Sequence, residues 1–573
     1  MTVVTCLLYD RVIKPLRLGG DAVGPYRNPL PGRSISHRGV NRVQDFTEQA
    51  DVVIVGSGPT GATYARVLSS EHPGTRVLLV EAGPIVADPP GLHMANIDDP
   101  EARKTAQIAS QGPFQYEYPL PATSGTAHNA AGVDRETALI TRPGLFSVGT
   151  GDIHGDGFPA AQESSNVGGM GSHWFGACPR PSELERVPYL PEEALDEAYD
   201  VAEALLGVAS DQFTGSDFSD HVQRVLGAEL NPGRAADRVV QYMPMAVRLT
   251  PEGVHRAGPN VILGDLLDGA DDGFELRPNT QCQRVLVDDG RIVGVELRNR
   301  LTGAVYTVGA DFVVAAGDAL RTPQLLFASG IRPNALGRYL NEHPQVSIMA
   351  EVDGIGRDED HAETTGNATA MSDSTAVAVA ASGVTWVPYE GTAFPFHGML
   401  AQIDPDTVPR SAVDESRNKP LISLHFFGAQ EVRAENRLEF SDREQDWIGM
   451  PAMRIHHTLS DRDRETLETG KAELLRLSAV LGKPVDGEEP WILPSGSSLH
   501  YQGTVRMGPV DDGTSVCDPS CRVWGVSGLY VAGNGVIPTE TACNPTLTSV
   551  ALSVVGARDI ARRLAARSES AAA

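Results

Sequence analysis

The chain of 573 residues has no stretch of 18 consecutive apolar residues, so nothing in it reads as a membrane-spanning helix. The segment Met1 to Asp10 has no basic residue, and Asp10 ends its apolar run before a signal-peptide core is complete. A cytoplasmic location is the expectation. Positive charge is also short: 47 Lys and Arg against 74 Asp and Glu leave a formal net charge of −27. Such an acidic body repels nucleic-acid phosphates and anionic lipid headgroups, so neither nucleic acid nor a membrane is expected as a partner. Cysteine is scarce, and Cys6, Cys178, Cys282, Cys517, Cys521 and Cys543 include no Cys-x-x-Cys pair, so no metal is expected. Cys517 and Cys521 are near enough in sequence to bridge, but free thiols are the expectation in a reducing compartment. No internal repeat is evident. The length admits roughly two to four domains, each with a sizeable core.

Against these absences stands one dense local phrase. Asp51-Val-Val-Ile-Val55 is a continuous apolar run of the kind found in a parallel strand covered on both faces, and Gly56-Ser-Gly58-Pro-Thr-Gly61 follows it at once. Helical spacing follows from Ala62 to Ser70, and Thr75 to Val80 is a second buried strand, so the whole is a βαβ unit. In such a unit the first glycine permits a tight turn, the second lets backbone approach a pyrophosphate, and the third packs helix against strand. The pyrophosphate then meets the helix N-terminus. Glu81 ends the second strand, placed to accept from ribose hydroxyls, and a carboxylate there disfavours a 2′-phosphate. FAD or NAD is expected, not NADP.

Farther along, Asp289-Gly290 inside Gln283 to Glu296 signals a hairpin, and Asp311 to Gly317 is a third apolar strand. Residues 87 to 165 read as long cofactor-covering loops, residues 346 to 490 as alternating strands, and His361 to Gly383 as a loop. Residues 525 to 537 return to the strand and Gly-turn style of the nucleotide unit. The expected fold class is therefore α/β, an α+β composite. A discontinuous Rossmann-like dinucleotide-binding domain (1–185, 250–345 and 490–573), for FAD or NAD, would carry an inserted, β-sheet-based substrate domain (186–249 and 346–489). The first 45 residues read as an extension wrapping the first domain.

Two C-terminal phrases complete the set: His500-Tyr-Gln-Gly-Thr-Val-Arg-Met-Gly508 and Cys543-Asn544-Pro545-Thr546-Leu547-Thr548. Together with the loop at 56–61, Gly317 to Ile331 and Leu336 to Pro344, they resemble the glucose-methanol-choline (GMC) oxidoreductase family, and within it the pyranose oxidase branch. The likeness runs over nearly the whole chain. It implies the GMC fold, FAD as cofactor, and His500 and Asn544 as the catalytic pair. It carries FAD contacts to Gly56, Gly58, Gly61, Glu81, Met170, His173, Arg284, Ala316, Gly533, Asn534 and Thr546. Val167-Gly-Gly-Met-Gly-Ser-His-Trp174 resembles the segment whose histidine bonds covalently to the flavin, which points to His173, although Gly171-Ser172 stand where the branch has Ser-Thr. Phe175 stands where the fungal enzymes have a Thr near the flavin, so a quinone is expected as acceptor beside O2. The resemblance brings Gln402 to the sugar, and His425 to the position of a fungal Arg.

Oxidising a secondary alcohol requires taking the hydroxyl proton and moving the carbon-bound hydride to the flavin. A neutral imidazole accepts such a proton near pH 7, and an amide donor beside it holds the developing alkoxide. The resemblance therefore implies oxidation of a secondary ring hydroxyl, at C3 or C2, of a pyranose or glycoside, C-glycosides included, to the keto sugar. O2, giving H2O2, or a quinone takes the electrons. The alternatives are a GMC enzyme for a non-sugar alcohol and a catalytically silent flavoprotein. With no long hydrophobic arm in view, a monomer is expected.

Overall fold

A computed structural model describes residues 46–112, 144–149, 157–251, 253–355, 379–403, 419–485 and 489–572. The first 45 residues, Cys6 among them, and most of the stretch from His361 to Gly383 lie outside the described residues.

The apolar run after Glu48 forms β1 (Glu48–Val55), in which Val52, Val53 and Ile54 have no exposed surface. Each such burial contributes about 2 kcal/mol. Helix α1 (Pro59–Glu71) follows with Pro59 at its first position, where a missing N–H costs nothing, and β2 (Val77–Val80) returns parallel to β1. β3 (Phe274–Arg277) adds parallel to β2. β4 (Thr280–Asp288) and β5 (Arg291–Asn299) form a hairpin whose turn residues Asp289 and Gly290 have φ of 45° and 71°, the geometry an Asp-Gly turn favours. β5 runs antiparallel into β6 (Val305–Ala315), which is parallel to β1, so the order is β3-β2-β1-β6-β5-β4. The short strand Leu529–Val531 joins the last residues of β6 in parallel. The C-terminal ends of β1, β6 and Leu529–Val531 thus lie side by side, where open α/β sheets bind their ligands.

A second sheet is antiparallel, in the order β7 (Gln345–Val352), β10 (Leu421–Gly428), β9 (Phe396–Ile403), β8 (Val379–Val387). Its period of two separates its faces. Phe396, Leu400, Leu424 and Phe426 pack with Phe218, Val222 and Leu226 of the helix Asp217–Leu230 and with Leu467, Leu474 and Leu477 of the helix Asp461–Leu481. On the opposite face Met399, Phe427 and Trp386 form a separate cluster. The reading of 346–490 as strands misses Asp461–Leu481, although a capping box opens it: Asp463 N donates to Ser460 Oγ at 3.2 Å and Ser460 N to Asp463 Oδ2 at 2.9 Å. Likewise Pro100–Ser110 is a helix within the stretch read as irregular, and Thr546–Ala572 is a helix that packs on α1. No helix among the described residues is long and apolar enough to cross a membrane.

Candidate active site

The turn after β1 has room only for glycine at two places. Gly56 has φ 107°, and an added Cβ would stand 2.4 Å from Ala316 O; at Gly61 an added Cβ would stand 1.9 Å from Gly56 O. Gly58 is the N-cap of α1 and supplies no side-chain cap, while the nearest neighbour of an added Cβ is 3.9 Å away. Gly58, Pro59 and Thr60 line the cavity, so the start of α1 opens onto it, the arrangement that receives a phosphate. Glu81 Oε2 accepts from Ser57 N at 3.0 Å and Ser57 Oγ at 2.8 Å, and Oε1 accepts from Gly83 N at 3.0 Å. Burial raises its carboxyl above the usual range, while these donors pull the other way. Ser57 Oγ also accepts from Gly168 N at 2.9 Å, tying the segment that carries His173 to the nucleotide turn.

A cavity of about 330 Å³ runs from this turn to the second sheet. Its walls include Gly56, Gly58, Glu81, Met170, His173, Ala316, Gly533, Asn534, His500, Asn544 and Thr546. Gly61 lies behind the turn. Besides Gly61, three expected residues are not on the walls. Arg284 stands on β4 with its side chain nearly half exposed, paired with Glu296 of β5 at 2.8 Å, while its neighbour Val285 is buried. Gln402 differs in parity from Met399, the residue of β9 that reaches the cavity, so it belongs to the opposite face of the strand. His425 shares the face of Phe427 but stops one residue short: its Nε2 is 3.0 Å from Oε1 of Gln345, and Gln345 lines the wall.

His173 ends the 3-10 turn Gly169–Ser172, is 3 % exposed, and its Nε2 has no hydrogen-bond partner. Burial holds the ring down at about 3, so it stays neutral, with a nitrogen available for a bond.

His500 and Asn544 meet from two loops, with His500 Nε2 3.4 Å from Asn544 Nδ2. Phe427 stacks on the His500 ring, centroids 5.5 Å apart. The loop leading to Asn544 is held by Glu185, whose Oε1 accepts from Ala542 N at 2.8 Å and Cys543 N at 2.9 Å. His500 follows Leu499, whose φ of 57° is uncommon for a branched residue and is fixed from both sides. Glu342 Oε1 accepts from Gly496 N at 2.5 Å and Oε2 from Ser498 Oγ at 2.7 Å; that hydroxyl accepts from His500 N at 3.1 Å. Burial pushes the Glu342 carboxyl up to about 7. The other ring nitrogen of His500, Nδ1, is 2.9 Å from Nδ1 of buried His343.

Sequence reasoning passed over Glu342 and His343, although both lie in the phrase Leu336 to Pro344, and over Glu185. It also missed a largely buried ion-pair cluster at the wall, where Arg321 bonds Glu163, both lining the cavity, at 2.6 Å, and Asp446 behind them at 2.8 Å. Charged residues in sequence resemble solvated surface; the fold alone reveals this group as interior. Cys178, Cys282, Cys517, Cys521 and Cys543 are free thiols.

A helix start without a side-chain cap, a buried carboxylate at the end of β2, a buried imidazole whose Nε2 has no partner and a long cavity ending at a His/Asn pair fit a flavin dinucleotide. The fold and site define an FAD-dependent oxidoreductase. The chain belongs to the GMC oxidoreductase family, whose two domain patterns match residues 192–345 and 432–553. It is 46% identical over 522 residues to C-glycoside 3-oxidase of Arthrobacter globiformis, covering 91% of this chain and 96% of the relative. It is 29% identical over 587 residues to pyranose 2-oxidase of Tricholoma matsutake, covering 95% of this chain and 99% of the relative. The solved structure of pyridoxine 4-oxidase from Mesorbium loti shares the fold at 16% identity, with a TM-score of 0.55 over 89% of this chain and 99% of that one.

Proposed function

We propose that the protein oxidises the C3 hydroxyl of a pyranosyl unit, C-glycosides included, to the 3-keto sugar. The observation that carries this reading is the His500/Asn544 pair, 3.4 Å apart on the cavity wall, in a chain 46% identical over most of its length to C-glycoside 3-oxidases of two organisms. His500 takes the hydroxyl proton at Nε2, and Asn544 Nδ2 donates to the same oxygen and holds it as charge builds. Phe427 offers an apolar face to the sugar ring and keeps water from the proton path. Bound FAD supplies the hydride acceptor. Gly56, Gly58 and Glu81 would hold its nucleotide half, and Met170, Ala316, Gly533, Asn534 and Thr546 the remainder. His173 Nε2 is the atom we assign to a covalent bond with the flavin. The electrons then pass to O2 or a quinone, and Phe175, a bulky residue on the wall, favours the quinone.

Anaerobic addition of glucose, an O-glycoside and a C-glycoside to separate samples tests this directly. Bleaching of the yellow flavin band by the glycosides, with a 3-keto product by NMR, is expected; bleaching by none, or a 2-keto product, rejects the reading. Acid precipitation should leave the colour with the protein in wild type and release it in His173→Ala.

A further inference from the structure

A base is effective only if its reacting nitrogen carries a lone pair, and the surroundings of His343 bear on where the proton of His500 sits. The two Nδ1 atoms are 2.9 Å apart, a contact that holds one proton. His343 is fully buried, and burial, followed by the nearby His500 and His397, holds its ring well below the usual imidazole range, so it carries one proton of its own. Were that proton on His343 Nδ1, neutral His500 would keep its own on Nε2 and have no lone pair for the substrate. The alternative puts it on His343 Nε2, where a hydroxyl can accept it. Thr541 Oγ1 is 2.9 Å from that nitrogen, and the Gln502 amide nitrogen is 2.8 Å from it. The two ends of the Gln502 amide lie 3.0 Å and 3.1 Å from Thr541 Oγ1, so a half-turn of the amide offers His343 its carbonyl oxygen with little change elsewhere.

We propose that His343 is a positioning residue for the reaction: backed by Thr541 and Gln502, it accepts the Nδ1–H of His500 and so leaves His500 Nε2 as the lone pair that takes the substrate proton. This rests on His500 being the proton acceptor. As the substrate O–H bond breaks and the N–H bond forms, the positive charge spreads over the His500 ring, and the Nδ1–H to His343 strengthens as a charge-assisted hydrogen bond. The hydride leaves the same carbon for the flavin, so substrate loses two electrons and the flavin gains them. The arrangement has the logic of a base oriented by a third group, with a neutral imidazole in place of a carboxylate. The titratable groups around the pair include His397, which acts on His343, His425, packed on the Phe427 ring that stacks on His500, and Glu342, tied to His500 N through Ser498.

Anaerobic stopped-flow of the holoenzyme, with whichever sugar or glycoside bleaches the wild type, tests this between pH 5 and 9. His343→Leu removes the acceptor, whereas His343→Asn keeps an amide oxygen where Nδ1 stood. The expected results are a limiting reduction rate about 10²-fold lower in His343→Leu, with substrate Kd within threefold, and recovery to within tenfold of wild type in His343→Asn. Because the acceptor favours protonated His500, its loss should also move the midpoint of the rate profile to lower pH. Thr541→Val, which leaves the ring in place, should lose about tenfold in the same sense, and stands in if His343→Leu does not fold. Rates within threefold of wild type in His343→Leu, or equal losses in the Leu and Asn variants with an unmoved midpoint, overturn the assignment alone. A wild type that no sugar or glycoside reduces overturns the function reading and this assignment with it.

Discussion

Replacing Glu342 by Gln should change how stability depends on pH. The carboxyl is 2 % exposed and its oxygens accept from Gly496 N and Ser498 Oγ. Burial raises it from its ordinary 4.5 to about 7. The folded protein therefore holds this proton up to about pH 7, while the unfolded chain releases it near 4.5. The stability involved is fully present below the unfolded value and is lost as pH rises through the folded one. At about 1.4 kcal/mol per unit this amounts to about 3 kcal/mol. Gln keeps the shape, accepts from Gly496 N with its oxygen and donates to Ser498 Oγ with its nitrogen, and has no charge to gain. With an unfolding entropy of about 2.1 cal/mol/K per residue over 573 residues, the term corresponds to a melting shift of roughly 2–3 °C. Scanning calorimetry at pH 5 and pH 8 should find the wild-type midpoint falling by that much more than the variant's. Asp318, also raised to about 7, is common to both proteins and cancels. Equal pH differences in the two proteins would refute the reasoning.

Other outcomes follow from the same geometry. Gly61→Ala puts a Cβ 1.9 Å from a backbone oxygen, so flavin affinity should weaken roughly 10- to 100-fold, the 1–3 kcal/mol typical of overpacking, read as flavin per chain after gel filtration. Asn544→Ala should retain flavin but lose about 10²-fold in the rate of flavin reduction, measured anaerobically. Arg284→Ala, at an exposed ion pair off the cavity, should leave flavin content and reduction rate within about twofold of wild type.

Much of the nucleotide-binding half was legible because its information is local. The buried run, the three glycines and Glu81 form one unbroken phrase, and the Asp289-Gly290 turn needs only two residues to declare itself. The second half depends on which way a strand faces. Gln402 and Met399 are three apart on β9, and a strand turns such residues to opposite sides, so a resemblance that names Gln402 does not deliver its side chain to the cavity. The helix Asp461–Leu481 was hidden by a charged sequence whose apolar positions show only on packing against the second sheet. Glu342 and His343 escaped notice for a related reason: an acidic residue and a lone histidine look like surface or core until the loop at 496–500 is folded against them.

The central claim is that His500 removes the proton that lets the alcohol reduce the flavin. Its most direct test is the anaerobic reduction rate of flavin-loaded His500→Ala against wild type, with a glycoside that bleaches the wild type. A fall of about 10²- to 10⁴-fold, with flavin still bound, is the predicted result; reduction at the wild-type rate would contradict the account.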